Sequence, residues 1–496
     1  MTERIMAEIT KEQLLRDYSK AILNDEAALF IGAGMSVGAG FVDWRGLLRD
    51  IATDLKLNVD EEHDLIALAQ YEYNRNDNRS RLDRKIVEEF RDRATLSNSH
   101  RWIARLPIDT IWTTNYDTLL EQAYADAAKT VDVKHRKADL LHRLPHSDVT
   151  LFKMHGDVNH SDEAVLIKDD YERYEAKRGL FTSRLQGDLT WRHFLFLGFS
   201  FTDPNIDYVF SRLRCLLEEK AKNQPPRYCI LRKPKAPKRG VKDYAKLKAQ
   251  YTRDVRHLPH RIADLGRFNI DVVLVREYSE IEDILKRLCL LVSAKSIFVS
   301  GSAHEYSPVN RDKMESFCRK LGGEIIKRGY NLVSGFGLGI AGSCIIGAHE
   351  QAKREKSGRM GQRLRLHPFP QTFKNDAERQ QIYAEIRREL VQESGVTIFI
   401  AGNKLDRATG NVVIADGVLE EFALAKEHSH ICIPVPATGG AAARIWTEMQ
   451  PQFAKLFGSA RVKSEFSTLA DPTKSEDAWI EAIFDIIKKT DGAKSR

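Results

Sequence analysis

Short apolar runs separated by helix-length stretches recur along this chain, and that alternation admits few folds. From Ala27 onward they are AALFI (27–31), TIWTT (110–114), VTLFK (149–153), FLFLGF (194–199), YCIL (228–231) and DVVLV (271–275). A second series follows the helix-like stretch from Glu280 to Val292: SIFVSG (296–301), YNLVSG (330–335), VTIFIAG (396–402) and HICIPV (430–435). Apolar strands alternating with amphipathic helices imply parallel sheets covered on both faces. The expected class is therefore α/β, with one mainly parallel sheet over residues 1–290 and another over 293–496. A chain of 496 residues is in any case too long for one core. Between about 44 and 105 the rhythm breaks. That segment holds helical patterns such as HDLIALAQYEYN and LDRKIVEEFRD without a good strand, and reads as a helical insertion beside the first sheet. No internal sequence repeat relates the two halves.

Composition removes several classes of function. No run of eighteen apolar residues occurs, and the segment Met1 to Lys20 lacks the hydrophobic centre of a signal peptide, so a cytoplasmic protein without a membrane role is expected. The 77 basic and 70 acidic residues leave a formal charge of +7, a mild excess for a nucleic-acid binder, so nucleic acid is not the expected partner. One cluster, Arg232, Lys233, Lys235, Lys238, Arg239, Lys242, Lys246 and Lys248, either contacts phosphates or forms a solvated loop and helix face. It lacks the regular interleaving of aromatics that a base-stacking platform needs. The six cysteines (Cys215, Cys229, Cys289, Cys318, Cys344, Cys432) show no C-x-x-C pair, so buried reduced thiols and no metal site are expected.

Polar residues gather where the apolar runs end. ALFIGAGMS brings Gly32, Ala33, Gly34 and Ser36 to a strand-to-helix turn, where backbone N–H groups and a helix N-terminus can receive a pyrophosphate, or where a tight turn simply needs glycine. TTNYD (Thr113 to Asp117), KMHGD (Lys153 to Asp157) and LGFSFTDPN (Leu197 to Asn205) end three further runs. In an open parallel sheet ligands bind beyond the carboxyl ends of the strands, so the four segments can converge on one cleft. Taken singly, Asn115 is a catalytic amide or a turn cap, and His155 a general base or a core histidine. Their convergence favours chemistry.

These residues resemble the sirtuin family, over roughly residues 10–285. The resemblance implies a Rossmann-like domain that takes NAD as substrate, with Gly32, Ala33, Gly34 and Ser36 at the pyrophosphate. It places Asn115, near Asp117, and His155 beside the N-glycosidic bond, and Gly198, Ser200, Asp203 and Asn205 along the adenosine side. Sirtuin deacylases carry a zinc module with two C-x-x-C pairs, and its absence here puts deacylation in doubt. Breaking the ribose C1′–N bond needs no zinc: nicotinamide is a good leaving group and the ribose spreads the developing charge over C1′ and O4′. The protein supplies orientation and electrostatic support, with water as acceptor.

The second half offers Gly301, Ser302, Gly335, Gly337, Gly339 and Gly342 at strand ends and helix starts. Over about 293–490 it resembles the SLOG superfamily, Rossmann-like nucleotide-ligand domains related to the LOG phosphoribohydrolases. The P-G-G-x-G-T-x-x-E motif of those enzymes is missing, and ADGVLEEF (415–422) stands in its place. That favours a sensor over a second enzyme. A sensor of a phosphorylated nucleotide needs cations and a ribose-binding carboxylate, and Arg387 or Arg388, Lys404, and Glu420 or Glu421 are available.

A sirtuin-like domain followed by a SLOG domain resembles the effectors of the bacterial Thoeris antiphage system. That implies an NAD glycohydrolase activated by a cyclic ADP-ribose isomer, which a Toll/interleukin-receptor-domain partner makes. The ligand would lie against Gly301, Ser302, Gly337, Gly339, Arg387, Lys404 and Glu420. No prosthetic group is expected, and gating through subunit contacts makes a homo-oligomer, a tetramer or higher, the expected state. A non-catalytic nucleotide-binding module and a sirtuin-like deacylase or ADP-ribosyltransferase are the competing readings.

Overall fold

The computed structural model describes residues 8–91, 95–201, 203–217, 224–241, 243–355, 363–406, 408–457 and 461–494. The chain forms two compact units, Met1–Cys289 and Leu290–Arg496.

The first unit is built on eight parallel strands: β1 Glu8–Ile9, β2 Ala27–Ile31, β3 Thr110–Thr113, β4 Val131–Lys134, β5 Val149–Lys153, β6 His193–Leu197, β7 Arg227–Arg232 and β8 Ile270–Val275. Their order across the sheet is β1-β8-β7-β6-β2-β3-β5-β4. Every residue of β2 is buried, as expected of a strand with helices above and below. Aromatic side chains fill the layer beside it: Trp112 stacks on Phe152 at 4.2 Å between centroids and Phe30 on Phe196 at 5.3 Å. Each such ring contributes about 1.5–3 kcal/mol by leaving water. The chain winds outward from β2 through β3 to β5 and β4, then returns to the other side of β2 with β6, β7 and β8. The winding reverses between β2 and β6, which opens a crevice there.

Between β2 and β3 lie the helices Trp44–Asp54, Leu65–Asn76, Ser80–Phe90 and Asn98–Arg105. They bury Leu47, Leu48, Ile51, Leu68, Leu82 and Ile86 in a cluster of their own that also takes in Tyr116 and Val158. Asp43 and Asp64 cap two of them by accepting from the backbone N–H groups of Gly46 and Ala67.

The second unit carries β9 Ser296–Ser302, β10 Asn331–Ser334, β11 Leu364–Leu366, β12 Val396–Ala401, β13 Asn403–Leu405, β14 Val412–Ile414 and β15 Ile431–Val435. Five of these form a parallel sheet in the order β11-β10-β9-β12-β15, and β13 and β14 form an antiparallel pair beyond it. Its winding reverses between β9 and β12. The thiols of Cys229, Cys318, Cys344 and Cys432 are buried and that of Cys289 half-buried, whereas Cys215 is exposed, against the expectation of burial. No helix among the described residues is long and apolar enough to cross a membrane.

Candidate active site and nucleotide crevice

At the β2/β6 crevice two turns meet backbone to backbone. Gly32 N–H donates to Leu197 O at 2.8 Å and Gly34 N–H to Gly198 O at 2.9 Å. A Cβ on Gly34 would lie 2.9 Å from the Gly198 Cα, and one on Gly198, whose φ is +64°, would lie 2.5 Å from the Met35 nitrogen. Glycine is required at 32, 34 and 198 by this close approach, a need the sequence pattern does not separate from ligand binding. Above the turns opens a cleft of about 1420 Å³. Ala33, Gly34, His155, Gly198, Ser200 and Asp203 line it.

Asn115 follows β3. Its backbone N–H donates to Thr113 Oγ1, which itself donates to Ile31 O, so the turn is tied to β2. Its amide Nδ2 donates to Ser36 Oγ at 2.9 Å, and Ser36 Oγ donates to Asp117 Oδ2 at 2.7 Å. Asp117 also accepts from the Leu119 N–H at the start of the next helix. This relay leaves one orientation for the amide: the serine hydroxyl spends its proton on Asp117 and must accept from Asn115. Among the described residues the buried Asn115 Oδ1 has no partner. Ser36, only 2% exposed, thus orients Asn115.

His155 follows β5 and is 2% exposed. Val165 N–H donates to its carbonyl at 2.8 Å, and Tyr171 and Tyr174 pack edge-on against the imidazole at 5.6 and 6.3 Å. Its Nε2 lies 3.1 Å from Asp203 Oδ2, within ion-pair reach but not aligned for a hydrogen bond. Burial works to raise the Asp203 pKa, but the His155 ring and the N–H groups of Ile206 and Asn205 outweigh it and hold the carboxyl below the ordinary range. Asp203, read from sequence onto the adenosine side, therefore stands beside His155, while Asn205 carries a buried side-chain nitrogen with no partner among the described residues.

Behind both residues sits Lys153, the last residue of β5, fully buried. Its ammonium donates to Asp117 O at 2.7 Å, Tyr116 O at 3.2 Å and Glu121 Oε1 at 2.9 Å, and pairs closely with Asp157. Burial opposes its charge, yet Glu121 and Asp157 hold its pKa above the ordinary lysine value. The same lysine thus joins the turn that carries Asn115 to the turn that carries His155.

Sequence reasoning missed most of the far walls of the cleft. Trp44, His63 and Leu65 come from the helical insertion, and Arg261 and Tyr278, with Arg232 of the basic cluster, from beyond β6. Arg261 Nη2 donates to Ser200 O at 2.8 Å and the Arg232 guanidinium lies 4.9 Å from the Tyr278 ring. Of the basic cluster, Arg232 reaches the cleft, Lys235 pairs with Glu277, and Lys242 falls outside the described residues.

In the second unit, Gly301, Gly337 and Gly339 are again forced by backbone: a Cβ would collide with Ile400 O, Gly301 O and Ala303 O respectively. Ser302 Oγ donates to Asn403 O at 3.0 Å. Arg387 Nη1 pairs with Glu420 Oε2 at 2.6 Å, and its guanidinium lies 5.6 Å from each of the Phe369 and Tyr383 rings. Arg388 is exposed and turns back to Ala384 O. Glu421 is buried, accepts from Ser300 Oγ at 2.6 Å, and burial pushes its carboxyl up to about 7. Lys404 pairs with Asp416 at 2.7 Å on the exposed β13 arm.

Two doubly wound units, the first with an oriented amide and an imidazole at its switch point, define a class in which a SIR2-like domain precedes a SLOG domain. Family models agree: residues 109–255 match the SIR2-like domain and residues 280–490 the Sir2- and TIR-associating SLOG family. Relatives align over nearly the whole chain. The NAD(+) hydrolase ThsA of Bacillus cereus (strain MSX-D12) is 38% identical over 96% of this chain and 98% of its own length. That of Enterococcus faecium is 38% identical over the same shares, and that of Cytobacillus dafuensis 36% identical over 98% of each. The chain belongs to the ThsA family of NAD(+) hydrolases.

Proposed function

We propose that this chain hydrolyses NAD to nicotinamide and ADP-ribose at the β2/β6 crevice, and that a cyclic ADP-ribose isomer bound at the β9/β12 crevice switches the reaction on. The observation that carries the reading is the Asn115 Oδ1, unpartnered among the described residues, on an amide oriented by Ser36 and Asp117, with the neighbouring Thr114 and His155 both lining the cleft. A buried acceptor left open costs about 1–3 kcal/mol, and a ribose hydroxyl or the attacking water repays it. His155 accepts the proton that water loses as its oxygen bonds to C1′. The C1′–N electron pair leaves with nicotinamide, so no acid is needed on that side. Gly32, Ala33 and Gly34 border the diphosphate, with Gly198, Ser200 and Asn205 toward the adenosine.

In the second unit, Arg387, Lys404 and Glu420, with Gly301, Ser302, Gly337 and Gly339, receive the activator. The Arg387 guanidinium, 5.6 Å from each of two rings, suits an anionic, aromatic ligand. The setting is a cytoplasmic homo-oligomer, a tetramer or higher, that depletes NAD in antiphage defence. Its signal comes from a Toll/interleukin-receptor-domain protein, in keeping with the TIR-associating family matched by the second unit.

The test incubates the purified full chain with NAD, with and without a cyclic ADP-ribose isomer, and resolves nicotinamide and ADP-ribose by chromatography. Consumption that requires the activator and is abolished in Asn115→Ala and in His155→Ala is expected. Unchanged NAD across a panel of isomers, or variants as active as wild type, overturns the reading.

A further inference from the structure

The proposed reaction leaves one buried charge at the site unexplained. Asp203 sits in FTDPN, after β6, with its side chain 12% exposed and its Oδ2 3.1 Å from His155 Nε2. Its other oxygen, Oδ1, accepts from the backbone N–H groups of Asn205 at 3.0 Å and Ile206 at 3.2 Å, at the start of the helix Pro204–Leu217. The carboxylate is therefore fixed by a helix end, and cannot swing to follow a ligand without uncapping that helix. On the other side, Tyr171 and Tyr174 wedge the imidazole edge-on. An acid buried this deeply and placed only for packing would be costly; one facing an imidazole at ion-pair distance has a partner that gains charge during the reaction.

We propose that Asp203 is a positioning residue for His155, the two forming a carboxylate–imidazole dyad in the cleft wall. This rests on the reading of His155 as the proton acceptor. At ion-pair distance the carboxylate favours the neutral ring with its proton on Nε2, a small turn of the ring bringing that N–H into line, and leaves Nδ1 as the basic nitrogen. Water attacks C1′, its proton passes to Nδ1, and the bonding pair of C1′–N departs with nicotinamide and neutralises the pyridinium. The imidazolium so formed lies against Asp203 until it returns the proton to solvent. The same anion also favours positive charge developing on the ribose.

Asp203→Asn keeps the helix cap and the side-chain shape while removing the charge. In the full chain activated with a cyclic ADP-ribose isomer, its kcat is expected to fall about 100-fold with KM within about threefold of wild type, the size of a general-base contribution. Asp203→Glu is expected to recover part of the loss. A second measurement is independent of turnover: ring 15N signals of histidine-labelled protein, with His155 assigned by difference against His155→Gln, are expected to report the Nε2-protonated tautomer in wild type. A kcat within twofold of wild type in Asp203→Asn while His155→Ala is inactive overturns the dyad and leaves the catalytic histidine standing. A loss confined to KM assigns Asp203 to NAD binding instead, and an Nδ1-protonated ring in wild type refutes the dyad whatever the variants do. An active His155→Ala removes the reading on which the dyad rests.

Discussion

Replacing Lys153 by methionine is the sharpest test of how the proposed catalytic pair, Asn115 and His155, is held. Methionine keeps an apolar side chain of similar length and removes the ammonium alone. Four acceptors then lose their donor: the carbonyls of Tyr116 and Asp117 and the carboxylates of Glu121 and Asp157. Removing one partner of a buried ion pair costs about 3–5 kcal/mol, because the remaining charge stays in a poor solvent. For a domain whose whole stability is about 5–15 kcal/mol, that is a large share. The urea midpoint of the SIR2-like unit, followed by circular dichroism, is expected to fall by about 1 M or more. Activity should fall further than unfolding explains, since both the Asn115 and His155 turns lose their tie. The pH dependence carries a sign. In the wild type Lys153 holds Asp157 below the ordinary carboxylate range against its burial, so that contribution is present at neutral pH and is lost as pH falls through the lowered pKa. In the variant the Asn159 N–H and His135 still favour the Asp157 carboxylate, but its main counterweight to burial is gone, and burial already prevails at Glu121, whose pKa is raised. Protonation then relieves the variant, and the stability gap should narrow as pH falls toward the carboxylate range. A midpoint within about 0.3 M of wild type together with full activity refutes the reasoning.

Gly34→Ala forces a methyl to within 2.9 Å of the Gly198 backbone, so thermal unfolding should come earlier and NAD turnover should drop at least tenfold, by about 1.4 kcal/mol or more. Glu421, with its carboxyl pushed from 4.5 to about 7 by burial, is protonated in the folded state where the unfolded chain is not; stability should fall by about 3 kcal/mol as pH rises from about 4.5 to 7. Glu421→Gln should flatten that slope in denaturant titrations of the second unit. Arg387→Lys keeps the charge and loses the planar guanidinium beside the Phe369 and Tyr383 rings, so the activator concentration for half-maximal NAD consumption should rise about tenfold while maximal rate is unchanged.

Much of the architecture was legible because buried parallel strands are written as unbroken apolar runs: AALFI and VTLFK coincide with β2 and β5. The strands that escaped notice are short or at the margin. β1 has two residues, β4 alternates half-buried and buried positions in VDVK, and β11 is a three-residue edge. β13 and β14 are joined across a loop without a two-residue turn signal. For the proposed site, Asn115 and His155 could be singled out because they stand at strand ends. What the string of residues hid were pairings between elements: Ser36 orienting Asn115, Asp203 against His155, Lys153 joining two turns. Nothing in local pattern distinguishes Ser36 as a relay from a residue at a phosphate turn. The glycines misdirect for a related reason, since close backbone packing and ligand approach call for the same missing Cβ.

The Lys153 strut also limits how such an enzyme can be kept silent. Ligand-linked coupling between distant sites usually amounts to about 1–3 kcal/mol, less than the cost of pulling apart a buried ammonium and its carboxylates. A resting state that worked by bending Asn115 away from His155 would have to break that tie. Quiescence is far cheaper to achieve by denying the dinucleotide entry, with the reactive pair left assembled inside. An off state of this kind is a loaded spring behind a shut door, and relief of the blockade alone restores full turnover without any step of reassembly.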